Sequence, residues 1–481
     1  MSAPVIASFE FAAASAELFL LAAICVILLV DVFLSERTRW VTFALSLLAL
    51  AGAAFATVRF GVDSRVVAFS GTFIADPMGD VLKLFSYGTV AVAFLYSREY
   101  LQRRGLLKGE YFVLGLVGLL GIMVMISAGS LITMYLGLEL LSLALYAMVA
   151  FDRDSGVAAE SAMKYFVLGA IASGTLLYGF SIVYGMTGTL QLDDLAVAVR
   201  EVGVNKVGLI FGLVFIVAGI AFKFGAVPFH MWIPDVYQGA PTPVTLYIGS
   251  APKIAAFVLA IRILAEGLGS MLASWQGMLI ALAVLSLVIG NVVAISQSNL
   301  KRMLAYSTIS HVGFILLGIL AGTTVGYRAA MFYTLVYVIM AIGSFGMILL
   351  MSREGFEGDR LEDFKGLSRR SPWFAVVMMM LMFSTAGVPP FVGFWAKVVV
   401  IEAVLDVGLT WLAAVAVVVS VIAAFYYLRI VKLMYFDEPV EAAAIQAGGT
   451  VRAVLTLNGL AVLALGIFPG ALIQLCAQVL P

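Results

Sequence analysis

Lysine is the residue of this chain that could move protons, because Lys83, Lys164, Lys223, Lys253 and Lys397 all fall inside or against long apolar runs. A cation at the centre of a membrane span costs roughly 2.5–3.5 kcal/mol on insertion scales, so each needs a compensating partner. Glu139, midway along the apolar stretch from Leu131 to Met148, adds negative charge at the same depth. Burial opposes an ammonium and a nearby carboxylate favours it, so such a group can switch charge near neutral pH. Lys223 and Lys253 lie in consecutive runs, and Lys253 follows Pro252, whose missing amide hydrogen frees a carbonyl one turn back. A static ion pair with Glu139 is the plainer reading, yet structural pairs rarely explain so many central charges. The pattern points to movement of protons or ions.

The remaining charged positions are less central. Lys164 follows Glu160 in the first third of its run, where snorkelling to the interface is the alternative to a relay role. Lys83, beside Asp76 and Asp80, reads as an interface anchor. Lys397 is followed by Glu402 and Asp406, an order that suits an exit route. There are two histidines. His311, among Ser307, Thr308 and Ser310, could relay protons or be a hydrogen-bonded core residue, and His230 could simply satisfy backbone groups.

These residues need membrane helices to position them. The 481 residues are 63% hydrophobic and 12% charged, with a mean hydropathy of +1.10, which excludes a soluble protein with one large core. Net charge is zero, so nothing argues for nucleic acid or a strongly charged partner. Cys25 and Cys476 form no metal or redox pair and read as buried apolar residues. No basic residue precedes Arg37, so the first span is expected to be retained rather than cleaved as a leader. No phosphate loop or Ser-His-Asp context occurs.

Apolar runs predict about fourteen transmembrane helices, roughly at 11–34, 40–60, 77–97, 110–127, 130–150, 158–187, 206–227, 242–265, 275–297, 303–321, 327–351, 372–405, 408–436 and 450–475. Lys and Arg concentrate in the loops that are cytoplasmic if both termini lie outside. Spans seven and twelve look broken, since both contain Gly-x-x-Pro-Phe, at Gly225 to Phe229 and Gly387 to Phe391. Proline and glycine at membrane depth are tolerated where protein or a wet cavity satisfies the freed backbone, and matched breaks mark a repeat. Lys223 precedes its break and Lys397 follows its own, so in opposite-running spans both fall on the outer side. The expectation is an all-α integral membrane protein with two inverted five-helix repeats. Residues 1–105 would hold spans one to three, 106–270 and 271–436 the repeats, and 437–481 a connector and the last span. The charged segment from Arg353 to Arg370 reads as a cytoplasmic connector that could contact a partner.

Four ordered stretches carry a resemblance. AFKFGAVPFHMWIPDVYQGAPTPV (221–244), KRMLAYSTISHVGF (301–314), DFKGLSRRSP (363–372) and TAGVPPFVGFWAK (385–397) resemble the antiporter-like membrane subunits of respiratory complex I and of Mrp-type cation/proton antiporters. SAPKIAAF at 250–257, Lys397 where subunit M would show glutamate, and the lack of the long lateral helix of subunit L favour one branch of that family. The resemblance implies a proton-translocating subunit of a bacterial inner-membrane NADH:quinone oxidoreductase. Glu139 and Lys223 would be a coupling ion pair, Lys253 the central relay and Lys397 the outward donor, with Lys164 and His311 in support. It implies no redox cofactor here, with NADH, FMN, iron–sulfur clusters and quinone handled by partners, and subunits M, K and J as neighbours. An Mrp-type sodium/proton antiporter subunit and a structural membrane scaffold are the rival readings.

Overall fold

Backbone amides in hydrocarbon must be satisfied within the protein, and long apolar runs do this as helices. The computed structural model describes residues 10–204, 206–353, 355–439, 445 and 447–480, so parts of the 437–481 connector lie outside the described residues. Among the described residues, 13 helices are long and apolar enough to cross a membrane. They begin with Ser15–Val32, Trp40–Phe60, Pro77–Arg103, Gly109–Ile126, Leu131–Val149, Gly156–Thr187 and Val207–Phe224. Span eight is assembled from Thr242–Ile248 and Ala251–Ala260, continued by a π turn over Ile261–Gly267. Leu272–Ile295, Leu300–Leu320, Thr324–Met351, Thr410–Phe436 and Gly449–Ile467 follow. Span twelve is the fourteenth crossing, made of two halves of 15 residues each, Pro372–Ala386 and Val392–Asp406.

Burial sorts these helices. The apolar window of span eight is 100% buried and those of spans ten and eleven 94%, whereas spans one and fourteen reach only 28% and present most of their surface outward. The core is therefore the seam where spans eight, ten and eleven meet. Cys476 is buried, but Cys25 is exposed on the outer face of span one. Expecting both to be buried failed because an apolar run does not say which of its faces meets protein and which meets lipid.

Both predicted breaks are present. In span seven, Val207–Phe224 ends at Gly225 with φ 79°, and the chain turns before the short helix Trp232–Gly239. In span twelve, Pro372–Ala386 ends at Gly387 with φ 87°. This left-handed conformation is where glycine carries no Cβ penalty, and it closes the helix with the same pair of bonds each time. Gly225 N and Ala226 N donate to Ala221 O, and Gly387 N and Val388 N donate to Phe383 O. The hairpins preceding the breaks also match in packing: a Cβ on Gly121 would lie 2.5 Å from Leu141 N, and one on Gly290 would lie 2.7 Å from Ser310 N.

Candidate functional site

Lys223 occupies the last turn of Val207–Phe224, and its Nζ donates to Ser142 Oγ at 3.1 Å. Ser142 lies three residues after Glu139 on span five, so the two share a helix face. Glu139 is half-buried and accepts a hydrogen bond from Ser173 Oγ, which also reaches Tyr135 OH at 3.0 Å. Lys223 and Glu139 do not form an ion pair within 4.0 Å. Each charge is held by a serine instead, Lys223 by Ser142 and Glu139 by Ser173. Ser142, Ser173, Tyr146 and Lys223 line a small pocket beside them.

Lys253 and Lys397 are fastened in the same way. Lys253 Nζ donates to Phe224 O at 2.8 Å, and Phe224 is the last residue of the first half of span seven. Lys397 Nζ donates to Ala386 O at 2.7 Å, and Ala386 is the last residue of the first half of span twelve. A helix C-terminus leaves carbonyls unpaired and carries negative partial charge, so an ammonium there is both hydrogen-bonded and electrostatically favoured. Lys397 Nζ also donates to Ser420 Oγ at 2.8 Å and lies 5.3 Å from the centre of the Phe314 ring. Lys253 stands 5.8 Å from the ring of Trp232, whose Nε1 donates to Phe222 O at 3.1 Å. Both lysines are buried.

Between them runs a line of hydroxyls. Tyr337 OH donates to Gly249 O at 3.0 Å and lies 2.9 Å from Thr308 Oγ1, joining the junction between the two helical pieces of span eight to span ten. The carbonyl near Pro252 is thus met by a tyrosine from span eleven. His311 Nδ1 lies 2.7 Å from Tyr333 OH, and its Nε2 lies 3.3 Å from Tyr427 OH, which contacts Ser307 Oγ at 2.5 Å. Tyr333 stacks on Phe314, the ring beneath Lys397. Sequence reasoning found His311 but missed Ser142, Tyr333, Tyr337, Ser420 and Tyr427. The spacing of Tyr333 and Tyr337, four apart on one face of a predominantly apolar span, was the available signal.

Two lysines are placed differently from expectation. Lys164 is exposed, with side-chain exposure of 45%, and pairs with Glu160 and Asp235 at 2.9 Å each. It holds Asp235 of the short second half of span seven, which Arg302 also grips at 2.8 Å. Lys83 is no interface anchor: it is 2% exposed and pairs with Glu17 at 2.6 Å. Its partner stands on another helix, invisible to local spacing. His230 is half-buried in the break with its Nδ1 unpartnered. The connector folds back on its own chain, where Glu357 meets Arg104 at 2.6 Å and Lys301 at 3.6 Å. Among the described residues, no group of three or more His, Cys, Asp or Glu could hold a metal ion.

This arrangement has known counterparts. Residues 128–423 match the family described as NADH:quinone oxidoreductase/Mrp antiporter, TM. The NADH-quinone oxidoreductase subunit N of Thiobacillus denitrificans is 60% identical over 98% of this chain and 97% of its own length. That of Nitrosomonas europaea is 55% identical, covering 97% of each. Among solved structures, a chain of respiratory complex I from Thermus thermophilus superposes with a TM-score of 0.82 at 30% identity, covering 96% of this chain and all (100%) of that one. A chain of the Mrp complex from Dietzia shares the fold at a TM-score of 0.85 and 24% identity, covering 98% of this chain and 97% of its own. With its two broken spans and these matches along nearly its whole length, this chain belongs to the NADH:quinone oxidoreductase/Mrp antiporter membrane-subunit family, in the branch of subunit N.

Proposed function

We propose that this chain is a proton-translocating membrane subunit of NADH:quinone oxidoreductase, driven by quinone reduction in partner subunits. The observation that carries this reading is the pair of buried ammonium groups, Lys253 and Lys397, each bonded to the carbonyl end of an interrupted helix. A charged lysine there favours the closed helix end, and a neutral amine loses that attraction. Protonation and helix geometry are thereby linked, which is what a bistable element needs. Glu139 and Lys223 would set the balance through Ser142, and His311 with its tyrosines would connect the two halves. Lys164 acts at the rim, holding the second half of span seven through Asp235.

The chain itself supplies proton-holding groups and no redox centre. NADH, FMN, iron–sulfur and quinone chemistry belong to partners, with subunits M, K and J as the expected neighbours in a bacterial inner membrane. Residues 106–270 and 271–436 form the two inverted repeats in this reading. The Lys and Arg distribution supports both termini outside. A cysteine introduced at Ser35 should then be labelled from the cytoplasm, and labelling only from outside contradicts that orientation.

The functional test is Lys223→Ala in the whole complex, reconstituted in sealed vesicles. Assembly should persist while proton uptake coupled to quinone reduction falls severalfold, with some loss of stability because Glu139 loses its counter-charge. Normal pumping by the assembled variant would refute the relay. Sodium-dependent transport would favour the exchange activity of an Mrp-type subunit, and loss of assembly with intact pumping in the surviving complexes would favour a scaffold.

A further inference from the structure

Beyond the relay, the outward end of the first three spans holds a buried ion pair. Lys83 Nζ lies 2.6 Å from Glu17 Oε1, and the two residues are 2% and 7% exposed. Ser127 Oγ, at the end of span four, donates to the same carboxylate oxygen at 3.1 Å. The other oxygen, Glu17 Oε2, is buried and has no hydrogen-bond partner. Leaving a buried carboxylate oxygen unpaired is costly, and the cost disappears when that oxygen carries a proton or meets a water. Asp80 lies three residues before Lys83 on span three, on the same face and nearer the helix start. Its Oδ2 accepts from Val62 N at 3.2 Å, in the largely exposed segment 61–65.

The surrounding charges are fixed. Arg262, fully buried in the π turn of span eight, holds Asp76 at 2.6 Å and Glu266 at 2.8 Å. Arg65 extends this ladder to Glu266 at 3.1 Å and to Asp193 at 2.6 Å. Arginine stays charged in proteins, so the ladder clamps spans three and eight together and carries no proton. Glu17, Lys83 and Asp80 are the members of the cluster able to change charge without breaking that clamp.

We propose that the Glu17–Lys83 pair is a proton-holding site on the outward side of the first half, with Asp80 as its release group. The inference rests on the proton-translocating reading above. A proton arriving from within lands on Glu17 Oε2, giving a carboxylic acid. The Lys83 ammonium, which forms no ion pair with Asp80 within 4.0 Å, gives a proton through an intervening water to the Asp80 carboxylate, and Asp80 passes it to outer water. The Glu17 proton then moves to the neutral Lys83 amine, which restores both residues, with one proton transferred in total.

The test uses the complete complex in sealed vesicles, reading assembly on a native gel, NADH:quinone turnover, and protons moved per quinone reduced. Lys83→Arg keeps the ion pair but cannot become neutral, and Glu17→Gln with Lys83→Met removes both charges together. A structural pair tolerates both changes, whereas a proton site tolerates neither, so both should assemble and lose proton yield severalfold. Asp80→Asn, at the half-exposed edge, should lower the yield with the least effect on assembly. Normal proton yield in any one of the assembled variants overturns the proposal. If Lys223→Ala is blocked while Lys83→Arg pumps normally, only the outward site is wrong; if both pump normally, the translocation reading falls as well.

Discussion

The two halves of the molecule hold the same kind of helix end with ammonium groups that come from different places. In the first half, Lys253 reaches across from span eight to Phe224 O, while Lys223 on the broken span itself turns to Ser142. In the second half, Lys397 comes from beyond the break in span twelve and reaches Ala386 O, with Ser420 of span thirteen receiving its other bond. In the sequence Lys223 and Lys397 look like partners, since each lies beside Gly-x-x-Pro-Phe. In space the counterpart of Lys397 is Lys253. What the halves share is the buried carbonyl end, free of an intrahelical donor, before a left-handed glycine, and any helix that can deliver an ammonium there can supply it.

Removing Lys397 should have the largest effect. Lys397→Ala leaves Ala386 O buried without its donor, a local cost of about 1–3 kcal/mol, and proton yield per quinone reduced should drop severalfold. The comparison is sharpened by moving the cation to where the first half keeps it. Adding Ser420→Lys to Lys397→Ala puts an ammonium on span thirteen, as Lys253 is on span eight, and part of the lost yield should return. No recovery in assembled complexes means that the supplying helix matters as much as the carbonyl it caps.

A smaller effect is expected where the halves join. Tyr337→Phe removes the hydroxyl that links Gly249 O of span eight to Thr308 of span ten. The net loss is about 0.5–1.5 kcal/mol, so the complex should assemble and turn over quinone while proton yield falls modestly. Unchanged yield would show that the halves work without this bridge.

The fold was largely legible because hydrocarbon imposes it. Among the described residues, the 13 long apolar helices, the two halves of span twelve and both breaks followed from run length and from Gly225, Pro228, Gly387 and Pro390. Lys253, Lys397 and His311 were found because polar residues in apolar runs stand out. What was not legible was partnership between helices. Lys83 looked peripheral because its partner Glu17 lies on span one, Glu139 looked like a direct partner of Lys223 although that ammonium donates to Ser142 instead, and the partner of Lys164 on the second half of span seven, Asp235, lies far along the chain. Helical spacing gives the face of a residue, and the neighbour that face meets is decided by packing of the whole bundle.

The central claim is that the buried lysines act by gaining and losing a proton, and Lys397→Arg tests it most directly. Arginine keeps the positive charge and can still donate to Ala386 O, but it does not become neutral at working pH, its pKa lying above about 12. The measurement is protons moved per quinone reduced by the assembled complex in sealed vesicles, compared with wild type and with Lys397→Ala. The account predicts that arginine preserves assembly yet loses proton yield as alanine does. Wild-type yield from Lys397→Arg, with alanine inactive, would mean that a fixed charge is sufficient and that Lys397 is not a proton carrier.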